Sequence, residues 1–352
     1  MCMPINAGNI LSLSFEEVFV IAEAGVNHNG CLAEAFKLVD AAVEAGCSAV
    51  KFQTWITEMV YSRNKSIKPD YQIKTTGDNE SEFETIKRLE LKQQDFVAIK
   101  KYCDEKKIIF FSTPDEEESA SCLLKMGVNL FKTASQDVTN TPFLRYIAKL
   151  GLPVLFSTGA CTMSELARGV ETILEENQSL IIFHCVSSYP APADQMNLSV
   201  IPVLQRSFGC EVGLSDHTLG AEVACAAVGF GVRIFEKHLT LHKEVSGPDH
   251  QASLTPSEMR DYCKMLRNAR SALGDGIKRV MPCEADNRTA FRRFLVTSRY
   301  IRCGEILSKN DIYFKKVVSG IDPQLSDMAI GCEVLNDIEE DTVVQWSMLR
   351  HK

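Results

Sequence analysis

Eight short apolar runs, each ending in polar residues, constrain this chain more than any other feature. They read FVIAEAG (19–25), AVKFQTW (49–55), IIFFSTP (108–114), LFKTAS (130–135), PVLFSTGA (153–160), LIIFHCVSSYP (180–190), EVGLSDH (211–217) and RIFEKHLTL (233–241). Nearly continuous hydrophobic runs fit strands buried on both faces, as in a parallel sheet. Segments with helical spacing lie between most of them. CLAEAFKLVDAAVEAG has apolar positions three and four apart and stops at Gly46. TMSELARGVETILEEN opens on Thr162 with Glu165 three residues on, a capping-box pattern. TPFLRYIAKLG places Pro142 in a first helical turn. Strands alternating with helices imply crossover connections, and eight such units make a (β/α)8 TIM barrel. A doubly wound open sheet is the rival, disfavoured because no glycine-rich dinucleotide fingerprint follows the first strand.

The domain reading is a barrel over 1–275, a linker over 276–289 and a small β-rich domain over 290–352. Within that last part RCGEILSKNDI and IEEDTVVQWSML look weakly alike. About 60 residues support only a thin core, so this domain is expected to lean on something. The polar stretch 56–88 is too long for an ordinary βα connection and is read as a loop over the active-site mouth.

Composition narrows the function classes. A net charge of -8 and a pI near 5.5 argue against nucleic acid as a partner. The first thirty residues lack a basic segment followed by an apolar one, and no run of about 18 apolar residues exists, so neither a signal peptide nor a membrane span is expected. The 13 cysteines include no CxxC pair and several sit in apolar runs. They read as small buried hydrophobes of a reducing, cytoplasmic setting.

In a TIM barrel, function collects where strands end. There Glu23 interrupts an apolar strand, and alternation puts Lys51 with Gln53, Ser215 with His217, and Glu236 with His238 on common sides. Bland readings stand beside each of these. Glu23 and Lys51 can be a structural ion pair, and Lys132 can pair with an acid. His217 can be a loop histidine, and His28 a pocket or a turn residue. Asp216 can start a helix near Leu219, and Ser135, Ser157 and Ser187 can cap helices. Their convergence on one end of one barrel favours a site for a phosphate and a carboxylate. His217 and His238 lie on adjacent strands, with no cysteine partner to close a structural zinc site. The pair suggests an exchangeable divalent ion of Mn²⁺ more than Mg²⁺ character.

The stretches IAEAGVNHNG, AGCSAVKFQTW, FFSTP, KTASQDVTN, STGACTMSE, HCVSSYPAP, GLSDHTLG, EKHLTL and GPDHQASLTPSEM occur in order across residues 18–274. With them the chain resembles the sialic acid synthase family, including legionaminate synthases, and its last segment resembles the antifreeze-like (SAF, β-clip) domain of that family. The resemblance implies condensation of phosphoenolpyruvate with an N-acylated mannosamine-type sugar and release of phosphate by C–O cleavage. It implies a divalent metal, usually Mn²⁺ with Mg²⁺ or Co²⁺ as alternatives, on His217 and His238. Glu23 matches the acid/base carboxylate. Lys51, Thr113, Lys132, Ser135, Ser157, Ser187 and Ser215 match phosphoenolpyruvate contacts, and Gln53, Tyr189 and Asp249 match sugar contacts. The family also implies a homodimer in which the SAF domain covers the partner's site.

Two departures stand out. Ser187 occupies a position where some members carry Asn. FKKVVSGIDP replaces the usual Lys-Arg-Pro-Gly, so Lys316 stands for an arginine that reaches the sugar, and lysine lacks the bidentate fork. Rival functions are a 9-phosphate-forming synthase acting on a 6-phosphorylated sugar, a Schiff-base aldolase using Lys51 or Lys132, and a non-catalytic carbohydrate-binding protein.

Overall fold

Each apolar run forms a strand. They are β1 (Phe19–Gly25), β2 (Ala49–Thr54), β3 (Ile109–Pro114), β4 (Phe131–Thr133), β5 (Val154–Ser157), β6 (Leu180–Cys185), β7 (Glu211–Asp216) and β8 (Ile234–His238). The computed structural model describes residues 17–63, 68–69, 72–73, 75 and 80–351. All ladders between the eight strands are parallel, in the order β3-β2-β1-β8-β7-β6-β5-β4. The first strand therefore pairs with the last, and β3 and β4 lie side by side at the seam. This is the TIM barrel expected from the alternation.

Side-chain alternation builds the interior in layers. Ile21, Ala49, Phe111, Leu130, Leu155, Phe183 and Ile234 belong to one buried apolar cluster inside the barrel. Two residues further along the chain from each stand Glu23, Lys51, Thr113, Lys132, Ser157, Cys185 and Glu236. The period of two thus places a polar layer directly above an apolar floor. Gly213 belongs to β7 for a packing reason. A Cβ there would lie 2.9 Å from the Phe183 ring and 3.0 Å from the Ile234 carbonyl oxygen, so Phe183 fills the space a side chain would take.

Outward residues such as Val20, Phe52, Phe156 and Phe235 pack against the helical layer. Local signals set the helix ends. Leu32–Ala45 stops at Gly46, whose φ of 76° suits glycine. Thr162 and Glu165 form the expected capping box of Met163–Leu174, and Pro142 lies in the first turn of Thr141–Lys149. The segment 56–88 is not simply a loop, because it carries helices Thr57–Val60 and Glu82–Leu89. The rest of it falls partly outside the described residues. Among the described residues no helix is long and apolar enough to cross a membrane.

The chain divides after Gly274 into two compact units. The stretch 276–289, read as a linker, holds the exposed turn Pro282–Glu284 and most of helix Ala285–Phe291. Beyond it β9 (Arg293–Thr297) pairs antiparallel with β10 (Ile312–Lys316), and β11 (Glu333–Val334) with β12 (Leu349–Arg350). A small core of Leu295, Ile301, Leu307, Val334, Ile338 and Val344 holds this unit together. The weak internal likeness has a structural counterpart. Both segments end in a 3-10 turn that feeds a strand, Lys309–Asp311 before β10 and Trp346–Met348 before β12.

Candidate active site

The polar layer opens into a cavity of about 440 Å³ lined by Glu23, Lys51, Gln53, Thr113, Lys132, Ser135, Ser157, Ser187, Tyr189, Ser215, His217 and His238. Strand register sets their neighbours: Glu23 stands opposite Lys51 on one side and His238 on the other, and Gln53 opposite Thr113. Asp249 does not line the cavity. It is buried behind it, with Oδ2 3.7 Å from His238 Nδ1. Lys316 belongs to the second unit, exposed on β10 with Nζ 5.1 Å from the Phe291 ring centre.

Two lysines and two carboxylates form the floor. Lys51 Nζ lies 2.9 Å from Glu23 Oε2 and donates to Thr113 Oγ1 at 2.8 Å. Lys132 Nζ donates to Ser157 Oγ at 3.2 Å and lies 3.5 Å from Glu236. Gln53 donates to Glu23 Oε1 at 3.0 Å, and Ser215 to Glu236 Oε1 at 3.1 Å. Their surroundings push the two carboxylates apart. Burial raises Glu23 against the pull of Lys51, and Glu236 adds repulsion, leaving it at about 7. Glu236 is equally buried, but Lys132 and Lys51, then His238 and His217, outweigh that burial and bring it to about 2. Carboxylates separated this way suit different tasks, a fixed counter-charge and a proton-exchanging group. Burial lowers Lys51, yet Glu23 and Glu236 hold it above the ordinary lysine range. A Schiff-base nucleophile needs the opposite shift.

The serines form a cradle rather than helix caps. Ala134, Thr162 and Pro192 occupy the N-cap positions after β4, β5 and β6. Ser135 Oγ instead accepts the Gly159 N–H at 3.1 Å. A Cβ on Gly159 would stand 2.6 Å from Ser135 Oγ and closer still to Ser187 Oγ. The missing side chain leaves both hydroxyls at one small space, with the Gly159 amide bonded to Ser135 and with Lys132 and Ser157 lining the same cavity.

The two histidines come together as expected, with ring centres 5.4 Å apart and the Tyr189 ring 4.2 Å from His217. His217 Nδ1 is 2.8 Å from the Val186 carbonyl, so Nδ1 carries a proton, and Nε2 is 3.4 Å from Ser215 Oγ. Burial, then His217, holds His238 well below the usual range, and its Nδ1 is buried without a hydrogen-bond partner. Burial lowers His217, but Cys185, the Val186 carbonyl and Glu236 outweigh it and hold the ring above the ordinary histidine range. Once that proton is given up, the two imidazoles fit a divalent cation completed by water or substrate oxygen. Among the described residues no group of three or more His, Cys, Asp or Glu forms a closed metal cage.

Other readings resolve differently. Asp216 starts no helix near Leu219, because the next helix begins at Glu222. It faces outward and binds Lys237 at 2.9 Å, Tyr262 at 3.2 Å and the Thr218 amide at 2.9 Å. His28 lies outside the cavity as a turn residue, its Nδ1 accepting the Gly30 N–H at 3.0 Å. Asp115, Glu236 and Cys185 also line the cavity but were not in the expected set. Glu236 shares its side with His238, so the same alternation carried the signal. Cys185 was read as a buried hydrophobe, yet its Sγ is 3.8 Å from His217 Nδ1. Burial opposes its thiolate, but His217 and then Lys132 bring it to about 7.

The chain is similar to N,N'-diacetyllegionaminic acid synthase of Campylobacter jejuni, 36% identical over 336 residues that make up 94% of this chain and 99% of the relative. Among solved structures, the spore coat polysaccharide biosynthesis protein SpsE of Bacillus subtilis superimposes with a TM-score of 0.64 at 34% identity, over 96% of each chain. The N-acetylneuraminic acid synthetase of Leptospira borgpetersenii gives a TM-score of 0.69 at 32% identity, covering 78% of this chain and 91% of that one. The SAF domain pattern matches residues 292–350 and the NeuB family pattern residues 38–278. The chain belongs to the NeuB family of sialic acid synthases and carries a SAF domain after its barrel.

Proposed function

We propose that this enzyme condenses phosphoenolpyruvate with an unphosphorylated N-acylated mannosamine-type sugar, giving a nonulosonic acid and inorganic phosphate. The observation that carries the reading is the pairing of a Lys132–Ser135–Ser157–Ser187 cradle with Glu23 and two adjacent imidazoles around one cavity. Lys132, the serine hydroxyls and the Gly159 region hold the phosphate and carboxylate, with Lys51, Thr113 and Ser215 completing the charge balance. Gln53 and Tyr189 orient the open-chain sugar, and Asp249, expected as a sugar contact, acts instead through His238, 3.7 Å away. His217 and His238 would hold Mn²⁺, with Mg²⁺ or Co²⁺ as alternatives, and the ion would supply Lewis acidity toward the aldehyde oxygen. The C3 carbon of phosphoenolpyruvate bonds to the aldehyde carbon, whose oxygen takes the C=O π electrons and a proton to become a hydroxyl, and a cation is left at C2. Glu23 takes a proton from the water that adds there, and its charge stabilises the cation as it forms. The C2–O bond to phosphate then breaks, the C2 hydroxyl gives its proton to the departing phosphate, and the C2 ketone and inorganic phosphate result.

Among the described residues lining the cavity, Lys51 and Lys132 are the only lysines or arginines and both are assigned to phosphoenolpyruvate, which supports a neutral sugar over a 6-phosphorylated one. Similarity to a legionaminic acid synthase supports a 2,4-diacetamido sugar, with N-acetylmannosamine as the alternative. Exposed Val318, Phe291 and Tyr313 on the second unit support its use in a homodimer, where Lys316 would reach the partner's sugar. Twelve free cysteines among the described residues support a reducing, cytoplasmic setting.

The test is phosphate release from phosphoenolpyruvate and Mn²⁺ with N-acetylmannosamine, its 6-phosphate and 2,4-diacetamido-2,4,6-trideoxymannose. Chelation with EDTA is expected to abolish release and added Mn²⁺ to restore it. Release only with the 6-phosphate would overturn the neutral-sugar reading. Release indifferent to EDTA, together with borohydride trapping of a protein–substrate imine, would overturn the mechanism.

A further inference from the structure

Two thiols meet in the outer layer of the barrel, away from the cavity. Cys47 follows Gly46 at the end of helix Leu32–Ala45 and precedes the amino end of β2. Cys263 lies in helix Pro256–Leu273. Their Sγ atoms are 3.8 Å apart although 216 positions separate the residues. Cys263 is buried and Cys47 is partly exposed, and both are free thiols. Arg267, one turn beyond Cys263, donates from Nη2 to the Gly46 carbonyl, which brings its guanidinium to the pair. A hydrogen bond from Cys47, then Arg267, lowers the Cys263 thiol below its ordinary range despite burial.

We propose that Cys47 and Cys263 are an oxidation site that a small-molecule disulfide converts to an intramolecular disulfide, stapling the first βα unit to the last barrel helix. The hydrogen bond to Cys263, then burial, holds the Cys47 thiol well above its ordinary range, so this partly exposed thiol gives up its proton only as it attacks one sulfur of the small disulfide. A mixed disulfide forms at Cys47 and one small thiol leaves. Cys263, as the thiolate, then attacks the Cys47 sulfur, the protein S–S bond forms and the second small thiol leaves. The protein gives up two electrons and two protons, and the small disulfide gains both. The sulfurs approach from 3.8 Å to about 2.05 Å, a movement small enough for one side-chain adjustment on each partner. Closing so long a loop constrains the unfolded chain strongly. Because the pair adjoins the amino end of β2 while the cavity lies beyond its carboxyl end, the staple acts on stability and leaves turnover unchanged.

The full-length protein is incubated with glutathione disulfide or with dithiothreitol, blocked with N-ethylmaleimide and mapped by mass spectrometry without reduction. The expected result is one linked peptide pair joining Cys47 to Cys263. The oxidised protein also melts about 5 °C or more above the reduced protein, with equal phosphate release. Cys47→Ser and, separately, Cys263→Ala abolish the linked pair and the gain in melting temperature. Recovery of both residues as maleimide adducts from the oxidised, folded protein would overturn the proposal. So would a persistent glutathione adduct on Cys47, or the same rise in melting temperature in Cys263→Ala.

Discussion

One methyl group added at Gly159 distinguishes an anion cradle from a merely polar cavity wall. In Gly159→Ala the new Cβ stands 2.6 Å from Ser135 Oγ and nearer to Ser187 Oγ, so both hydroxyls must rotate away. The Gly159 amide then loses its 3.1 Å acceptor. Gly159 is not among the positive-φ residues, so alanine meets no backbone strain, and the overpacking costs about 1–3 kcal/mol of stability. Each hydroxyl donating to a charged ligand is worth about 1.5–3 kcal/mol, so losing two removes about 3–6 kcal/mol. At 1.4 kcal/mol per tenfold, kcat/KM for phosphoenolpyruvate falls about 10²- to 10⁴-fold. Phosphate release is measured against phosphoenolpyruvate concentration at saturating sugar, with circular dichroism to confirm folding. Ser135→Ala and Ser187→Ala each produce a smaller loss of the same kind. A folded Gly159→Ala enzyme with kcat/KM for phosphoenolpyruvate within about threefold of wild type would refute the assignment.

Glu23→Gln keeps a hydrogen-bonding side chain beside Gln53 but cannot accept a proton, and kcat is expected to fall about 10²- to 10⁴-fold. With Glu23 at about 7, the base form grows as pH rises, so wild-type kcat climbs to a plateau above neutrality and Glu23→Gln loses that ascending limb. Asp216→Asn leaves Lys237 a buried ammonium without its carboxylate and costs about 3–5 kcal/mol, read from the urea midpoint. Adding Lys237→Met recovers part of that loss, whereas Lys237→Met alone strands Asp216.

Periodicity made most of the architecture legible. Strands buried on both faces must be apolar almost throughout, so the eight runs announced the barrel. Gly46, Thr162 with Glu165, and Pro142 announced helix ends because caps and left-handed turns depend on one or two neighbouring residues. The alternation also brought Lys51, Gln53, Ser215, His217 and His238 to one end of the barrel, where they line one cavity. Glu236 was visible in the same pattern, but its task, anchoring Lys132 and Ser215, depends on strands far apart in sequence. Cys185 was read as a buried hydrophobe, and Ser135 carried a cap reading beside its ligand reading, for one reason: a thiol or hydroxyl looks identical in sequence whether it fills a core, caps a helix or faces a cavity. Lys237 and Asp216 show the converse. They lie next to pocket residues in the chain, yet the pleat turns them outward to pair with Tyr262 of the last barrel helix.

By itself the sequence determined where strands and helices begin and which side chains share a face, because those properties are set within a few residues. Only the tertiary structure decided which faces meet. Closure of β1 onto β8 put Glu23 between Lys51 and His238, and that neighbourhood sets its proton affinity through burial and opposing charges. Such electrostatic balances depend on distances between chain segments that no local pattern encodes.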